Sequence, residues 1–340
     1  MQDVLRKLAA GETLAQDEAR AAMERLIGGE VDDVHIAAFF GLLRGRGETA
    51  EEIAGFAAGI RGLARSISAP AGAIDTAGTG GDGGRTYNVS TAAALVAAAA
   101  GVPVVKHGNR AVSGRAGSAD VLRALGIPTE LPPETAAAYL RRTGFVFLFA
   151  PLYHPALARV QPVRRALGIP TVMNLLGPLV NPAGVRRQLV GVADRRYQGA
   201  IARALLAGGT ERALVVSSAD GLDEISVSAP TRVLEIDGGR LLEYDLTPEA
   251  LGLPLFPPGA YGAGDAAENA RLVEGLLRPT GRPMNADYAL LLANAGAALY
   301  VAKAAPSLRD GVRLAAETIE SGRAAAYLDR LRAEVPVPDA

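Results

Sequence analysis

The sequence predicts an α/β fold, with a small all-α domain plus a larger α/β domain whose central sheet is mixed, largely parallel and flanked by helices. Three observations predict it. Residues 1 to 68 carry apolar side chains at helical spacing only; from Ile74 short apolar runs alternate with helices; and VLEIDGGRLLEY, residues 233 to 244, reads as a hairpin turning at Asp237 to Gly239. At 340 residues and 49% apolar content, the chain is long enough to bury the core of one large or two ordinary domains.

The N-terminal helices show in Val4, Leu5 and Leu8, and again in Ile53, Phe56, Ala57, Ile60 and Leu63. Thr13 with Gln16, and Thr49 with Glu52, have capping-box spacing, and Gly28 and Gly45 are expected stops. SISAPAGA, from Ser66 to Ala73, breaks the pattern with Pro70 and Gly72 and marks a boundary. A strand from Ala73 to Ala77 then leads through a glycine-rich loop into an alanine-rich helix, capped by Asn88, Ser90 or Thr91 and stopped by Gly101. Val102 to Val105 is the next strand, followed by a loop to Ser118, a helix from Ala119 to Leu125, and a strand from Phe145 to Phe149. Residues 157 to 180 return to helical spacing with prolines before the turn NPAG, Asn181 to Gly184, and this insert is expected to dock back on the N-terminal helices. Strands Gln188 to Val192 and Ala213 to Ser217 flank a helix opened by Asp194; helices Ala286 to Ala304 and Leu308 to Leu331 fill the C-terminal part.

Composition excludes several chemistries. There is no cysteine, hence no disulfide, thiolate metal site, iron–sulfur cluster or Cys nucleophile, and three scattered histidines (His35, His107, His154) argue against zinc. Net charge is −1, so no overall field attracts nucleic acid, and any anion binding must be local. No apolar run reaches the ~20 residues of a membrane span and the N-terminus lacks an apolar leader, so a cytoplasmic protein is expected.

The chemistry concentrates in three loops that each follow a strand. The first, Gly78 to Gly84, has five glycines in seven residues and opens onto a helix N-terminus, the layout of an anion site. The second, Lys106 to Asp120, offers Lys106, Arg110, Arg115, Asn109, Ser113 and Ser118; Lys106 is one of three lysines among 35 cations and supplies a compact charge suited to phosphate. In parallel sheets ligands sit beyond the carboxyl ends of the strands, where these loops would converge on a ligand with several phosphates. The third, Ala219 to Ser226, carries the adjacent carboxylates Asp223 and Glu224, hard donors of the kind Mg²⁺ takes while sharing substrate phosphates; both can serve one site only if the segment is irregular. Gly78, Gly80 and Gly83 also satisfy the dinucleotide fingerprint, but VVKHG stands where that reading needs an acid, and no Gly-Lys-Ser or Gly-Lys-Thr makes a Walker loop. His35, on one helical face with Phe39, reads as structural, and His154 in LYHPAL is a candidate for a cleft wall.

Six motifs in order, GTGGD (78–82), NVSTAAA (88–94), KHGNRAVS (106–113), GSADVL (117–122), NLLGPLVNPA (174–183) and DGLDE (220–224), resemble the anthranilate phosphoribosyltransferase family over nearly the whole chain. The resemblance implies transfer of phosphoribose from 5-phosphoribosyl 1-diphosphate to the amine of anthranilate, with Mg²⁺ present, in tryptophan biosynthesis. It implies a nucleoside phosphorylase/phosphoribosyltransferase-like fold with a helical domain of residues 1–68 completed by an insert at about 157–182, an α/β domain of 69–156 and 183–340, and a homodimer joined through the helical domain. It assigns the phosphoribosyl diphosphate to Gly78, Gly81, Asp82, Thr86, Asn88, Val89, Ser90, Thr91, Lys106, His107, Gly108, Asn109, Arg110, Ala111, Val112, Ser113, Gly114 and Ser118. It assigns anthranilate to Gly78, Asn109 and Arg164, and metal to Ser90, Asp223 and Glu224. No residue is a certain catalytic acid or base; His107 is the candidate acceptor of the amine proton. The family usually has a His-Gly pair before DGLDE, where Ser217, Ser218 and Ala219 precede Asp220 here, and Gly114 stands where a second serine is common. The rival readings are a pyrimidine nucleoside phosphorylase, which usually has a KHSTGG-like run where this chain has KHGNRA, and a non-catalytic relative that binds nucleic acid, which the charge and the 5% aromatic content disfavour.

Overall fold

The computed structural model describes residues 1–81, 83–111, 116–279, 281 and 283–337. Four helices come first: α1 (Gln2–Ala9), α2 (Gln16–Ile27), α3 (Asp33–Arg46) and α4 (Ala50–Gly62). The Thr49–Glu52 capping box forms, with Glu52 N–H donating to Thr49 Oγ1 at 3.2 Å and Thr49 N–H to Glu52 Oε2 at 2.9 Å. Glu52 is fully buried; burial would raise its carboxyl, but Arg46 at 2.5 Å and the N–H groups of Leu14 and Thr49 bring it below the usual range. The expected Thr13 box does not form, because α2 starts two residues later, with Ala15 as its N-cap and Glu18 accepting from Ala15 N–H at 3.0 Å. Gly45 does not stop α3, which runs one residue further to a cap at Gly47, φ 91°.

Among the described residues seven strands form one sheet: β1 (Ile74–Gly78), β2 (Val104–Gly108), β3 (Phe145–Phe149), β4 (Arg187–Gly191), β5 (Arg212–Ser218), β6 (Thr231–Asp237) and β7 (Arg240–Leu246), in the order β3-β2-β1-β4-β5-β6-β7. The first five are parallel; β6 and β7 add the expected antiparallel hairpin, turning at Gly238 and Gly239 with φ of 55° and 84°, which favour glycine. The remaining helices are α5 (Val89–Ala99), α6 (Ser118–Ala124), α7 (Pro133–Thr143), α8 (Ala150–Tyr153), α9 (Gln161–Leu167), α10 (Met173–Leu176), α11 (Arg195–Ala207), α12 (Ala266–Leu276), α13 (Ala286–Val301), α14 (Leu308–Glu320) and α15 (Arg323–Ala333). The expected helix 308–331 is two, broken at Gly322, φ 81°.

The strand order explains where a ligand can sit. From β1 the chain moves outward to β2 through α5, and from β4 it moves the opposite way to β5 through α11, so right-handed crossovers put the two helices on opposite faces. Two cores result. One joins α5, α13, α14 and α15 to Leu189, Leu214 and Val216; the other joins α11 and the N-terminal bundle to Val190, Ala213 and Val215. The carboxyl ends of β1 and β4 therefore splay into a crevice. The insert docks on the bundle: Val160, Val163 and Met173 share the bundle's core, and Arg159 donates to Asp33 Oδ1 at 2.5 Å and to Val31 O at 2.8 Å.

Helices α2 and α4 pack without room for a side chain at the crossing. A Cβ at Gly55 would collide with the Gln16 carbonyl and stand 2.8 Å from Ala19 Cβ, whereas one at Gly275, in α12, meets nothing within 4 Å. Gly55→Ala is expected to cost about 1–3 kcal/mol in urea unfolding despite its better helix propensity, and Gly275→Ala to gain up to ~1 kcal/mol.

Candidate active site

The floor of the crevice is a contact that excludes side chains. Gly78 and Gly191, paired at the ends of β1 and β4, face the Asp223 segment so closely that a Cβ on Gly78 would collide with the Asp223 carboxylate and one on Gly191 with the Asp223 carbonyl. Asp223 Oδ2 accepts from Gly80 N–H at 2.9 Å, which ties the acidic segment to the glycine loop. Asp223 and Glu224 lie outside any strand, so both can face the cleft, the irregularity that a shared site requires. Within the loop Gly80, Gly81, Gly83 and Gly84 all have φ between 64° and 93°, and Arg85 closes it by donating to Asp220 O at 2.8 Å.

The two anion loops meet over α5. Asn88 is its N-cap by position, but its side chain does not cap; instead Nδ2 donates to Ala116 O at 3.1 Å and Oδ1 accepts from Asn269 at 3.0 Å, joining the second loop and α12 to the first. That leaves the helix start to its backbone N–H groups, the partial positive charge an anion prefers. Lys106 reaches the same place from β2. It is almost fully buried; its ammonium donates to the Thr76 carbonyl and to Ser90 Oγ at 3.3 Å. Burial lowers its pKa, against the charges of Asp75 and Glu224.

The opposite wall is tightly buried. Asp75, on β1, is pushed up to about 6 by burial, and Lys106 and the Asn181 amide at 2.8 Å hold it down. Asn181 also donates to Val105 O, and Gln188 to Pro178 O, each at 2.8 Å, so sheet side chains pin the returning end of the insert. His107 and His154 meet edge to face with ring centroids 5.1 Å apart. Burial lowers them to about 3 and about 4, which keeps both imidazoles neutral. Arg164, on α9, is half-buried at the rim and donates to Asn174 Oδ1 at 3.4 Å.

Most of the residues singled out from sequence line this one cleft of about 920 Å³: Gly78, Gly81, Thr86, Asn88, Val89, Ser90, Lys106, His107, Gly108, Asn109, Arg110, Ala111, Ser118, Arg164, Asp223 and Glu224. Thr91 is instead buried in α5, one residue past the cleft wall. The Arg110 guanidinium pairs with Glu130 at 2.5 Å and stacks 5.3 Å from the Phe149 ring. Asp82, Val112, Ser113 and Gly114 lie outside the described residues. His154 lines the cleft, and His35 is half-exposed and paired with Asp32, the N-cap of α3, at 2.6 Å. Sequence reasoning missed Gly191, Asp75, Asn181 and Asn269. A glycine ending a strand next to a glycine loop was the one available signal, since the others act through partners on other elements, from 32 to 181 residues away.

A helical bundle and an α/β domain with two anion loops facing an acidic pair define the class of glycosyl-transferring enzymes. The chain matches the family models described as glycosyl transferase family, helical bundle domain, over residues 2–64 and glycosyl transferase family, a/b domain, over residues 71–325. It is 50% identical over 330 residues to the anthranilate phosphoribosyltransferase of Rubrobacter xylanophilus, covering 97% of this chain and 96% of that one. The crystal structure of the enzyme of that name from Thermus thermophilus superposes with a TM-score of 0.91 at 44% identity, covering 97% of this chain and 98% of that one. That from Saccharomyces cerevisiae, in complex with PRPP and Mg, gives 0.88 at 28% identity over 98% and 96% of the two chains. The chain belongs to the anthranilate phosphoribosyltransferase family.

The neutral His154 makes the fold acid-sensitive. Its folded pKa, about 4, lies below the ordinary 6.5, so its contribution is complete above pH 6.5 and is lost as pH falls toward 4; Asp75, raised to about 6, acts in the opposite sense and loses its contribution as pH rises through 6. Denaturant unfolding across pH 4 to 7 is expected to show His154→Gln flattening the acid loss by up to about 3 kcal/mol.

Proposed function

We propose that this chain transfers phosphoribose from 5-phosphoribosyl 1-diphosphate to the amine of anthranilate, giving N-(5-phosphoribosyl)anthranilate and diphosphate, in tryptophan biosynthesis. The observation that carries the reading is the meeting, in one cleft, of the glycine loop, Lys106 and the Asp223–Glu224 pair at the sheet's switch point. The α5 N-terminus, Lys106 and Ser118 would hold phosphate oxygens, and an incoming phosphate offsets the desolvation of Lys106. Across the cleft the Arg164 guanidinium suits a carboxylate, and the apolar wall beside it suits an aromatic ring.

Mg²⁺ fits the donors present. Asp223, Glu224 and the Ser90 hydroxyl are oxygen donors lining the cleft; they would hold Mg²⁺ while leaving positions for water and diphosphate oxygens. Bound there, the ion would neutralise charge on the departing diphosphate. Cleavage of the ribose C1–O bond builds positive charge on the sugar and negative charge on diphosphate; Lys106 and the loop N–H groups would stabilise the latter. An aromatic amine is neutral at physiological pH, so placement by Arg164 and Asn109 counts for more than a strong base. His107 is the candidate acceptor of the amine proton, although the burial that lowers it to about 3 makes it a weak base.

We also propose that residues 1–68 with 157–182 act as one body against the α/β remainder, that two copies pair through this helical body, and that the enzyme works in the cytoplasm apart from nucleic acid. Support for pairing comes from α3, whose outward side carries Val34, 77% exposed, with Ala38, Gly41 and Gly45. Sedimentation at twice 35.0 kDa is expected, with loss of the dimer in Val34→Glu.

Loss of anthranilate fluorescence that requires donor and Mg²⁺ together is expected. No loss, with phosphate-dependent cleavage of uridine or thymidine instead, would favour a phosphorylase. Asp223→Asn with Glu224→Gln should lower metal-dependent turnover at least ~100-fold with the fold intact, and unchanged Mg²⁺ dependence counts against the pair. Arg164→Ala should raise KM for anthranilate about tenfold or more and KM for the donor little; equal effects contradict its place.

A further inference from the structure

The acidic segment leaves β5 and crosses Gly78 and Gly191 without strand pairing of its own, so something else must fix it. Asn294, fully buried in α13, does so with one amide group. Its Oδ1 accepts from Ile225 N–H at 2.9 Å, and its Nδ2 donates to Ile225 O at 3.0 Å and to Leu290 O at 2.9 Å. Occupying both backbone groups of one residue is what a neighbouring strand would do, and Ile225 directly follows Glu224. Seven residues earlier on the same helix, the Asp287 carbonyl accepts from Tyr87 Oη at 2.8 Å, and Tyr87 ends the glycine loop. Two turns of α13, about 10 Å, therefore set the spacing between the loop and the acidic pair.

We propose that Asn294 is a positioning residue for divalent-metal and diphosphate binding. It does not line the cleft, and it acts by holding Glu224 and Asp223 in register with the glycine loop. The proposal rests on the metal reading of the acidic pair given above. Groups that orient metal ligands change metal affinity about 10–100-fold when removed, although they touch no metal.

The test is Mn²⁺ binding by the intact protein with inorganic diphosphate, followed by electron paramagnetic resonance, which does not depend on turnover. Asn294→Leu keeps the volume and removes every bond to Ile225; Mn²⁺ affinity should fall about tenfold or more, with KM for anthranilate unchanged. Asn294→Asp keeps the acceptor for Ile225 N–H and should fall less; it carries the test if the Leu variant does not fold. The Asn294→Asp, Glu224→Gln double variant should lose less Mn²⁺ affinity than the two single losses combined, because both act on the same metal site through the acidic segment. A folded Asn294→Asp that binds Mn²⁺ with diphosphate as tightly as the wild type, or an additive loss in the double variant, overturns this assignment alone. A wild-type protein that binds no Mn²⁺ with diphosphate overturns the metal reading and this assignment with it.

Discussion

The structure depends on a place where no Cβ is allowed. At the switch point of the sheet, adjacent strands end in Gly78 and Gly191, and the space their missing side chains leave is filled by the Asp223 segment. This lets a carboxylate from beyond β5 reach the loop after β1 and bond to Gly80 N–H. Without that approach the acidic pair and the phosphate loops would face solvent separately. With it they face each other.

Around this contact the protein solves an electrostatic problem. A chain of net charge −1 has no field to draw in a polyanion, so it builds one locally from a buried ammonium, a helix start and glycine N–H groups. Desolvation is costly for Lys106, and the nearby Asp75 and Glu224 charges offset part of it. On the other face of β1 and β2 the imidazoles of His107 and His154 are neutral, and the Asp75 carboxylate is held by Asn181. The same bonds pin the insert to the sheet, so the electrostatics of the cleft and the attachment of the helical bundle share residues.

Sequence made the main lines legible because they depend on local signals. The glycine loop, the lysine within β2 and the adjacent acids are each visible within a few residues, and helical spacing separated the bundle from the α/β part. The Gly238–Gly239 turn announced the hairpin. Caps read less well: Thr13 and Gly45 have the right chemistry in the wrong register, since tertiary packing sets where α2 and α3 end. Asn88 was assigned to a cap because its hydrogen-bond partners, Ala116 and Asn269, are distant in sequence. Asp75, Asn181 and Asn294 were invisible for the same reason; each acquires its role only when separate strands and helices meet.

The central claim, that absent side chains at the switch point place Asp223 in the phosphate site, is tested most directly by Gly78→Ala. Its Cβ meets only the movable end of Asp223 and stands 3.7 Å from the Gly191 carbonyl, so the sheet should persist. Calorimetric titration with diphosphate and Mg²⁺ should show binding weakened about tenfold or more with circular dichroism unchanged. Binding equal to that of the wild type in a folded Gly78→Ala protein would contradict it.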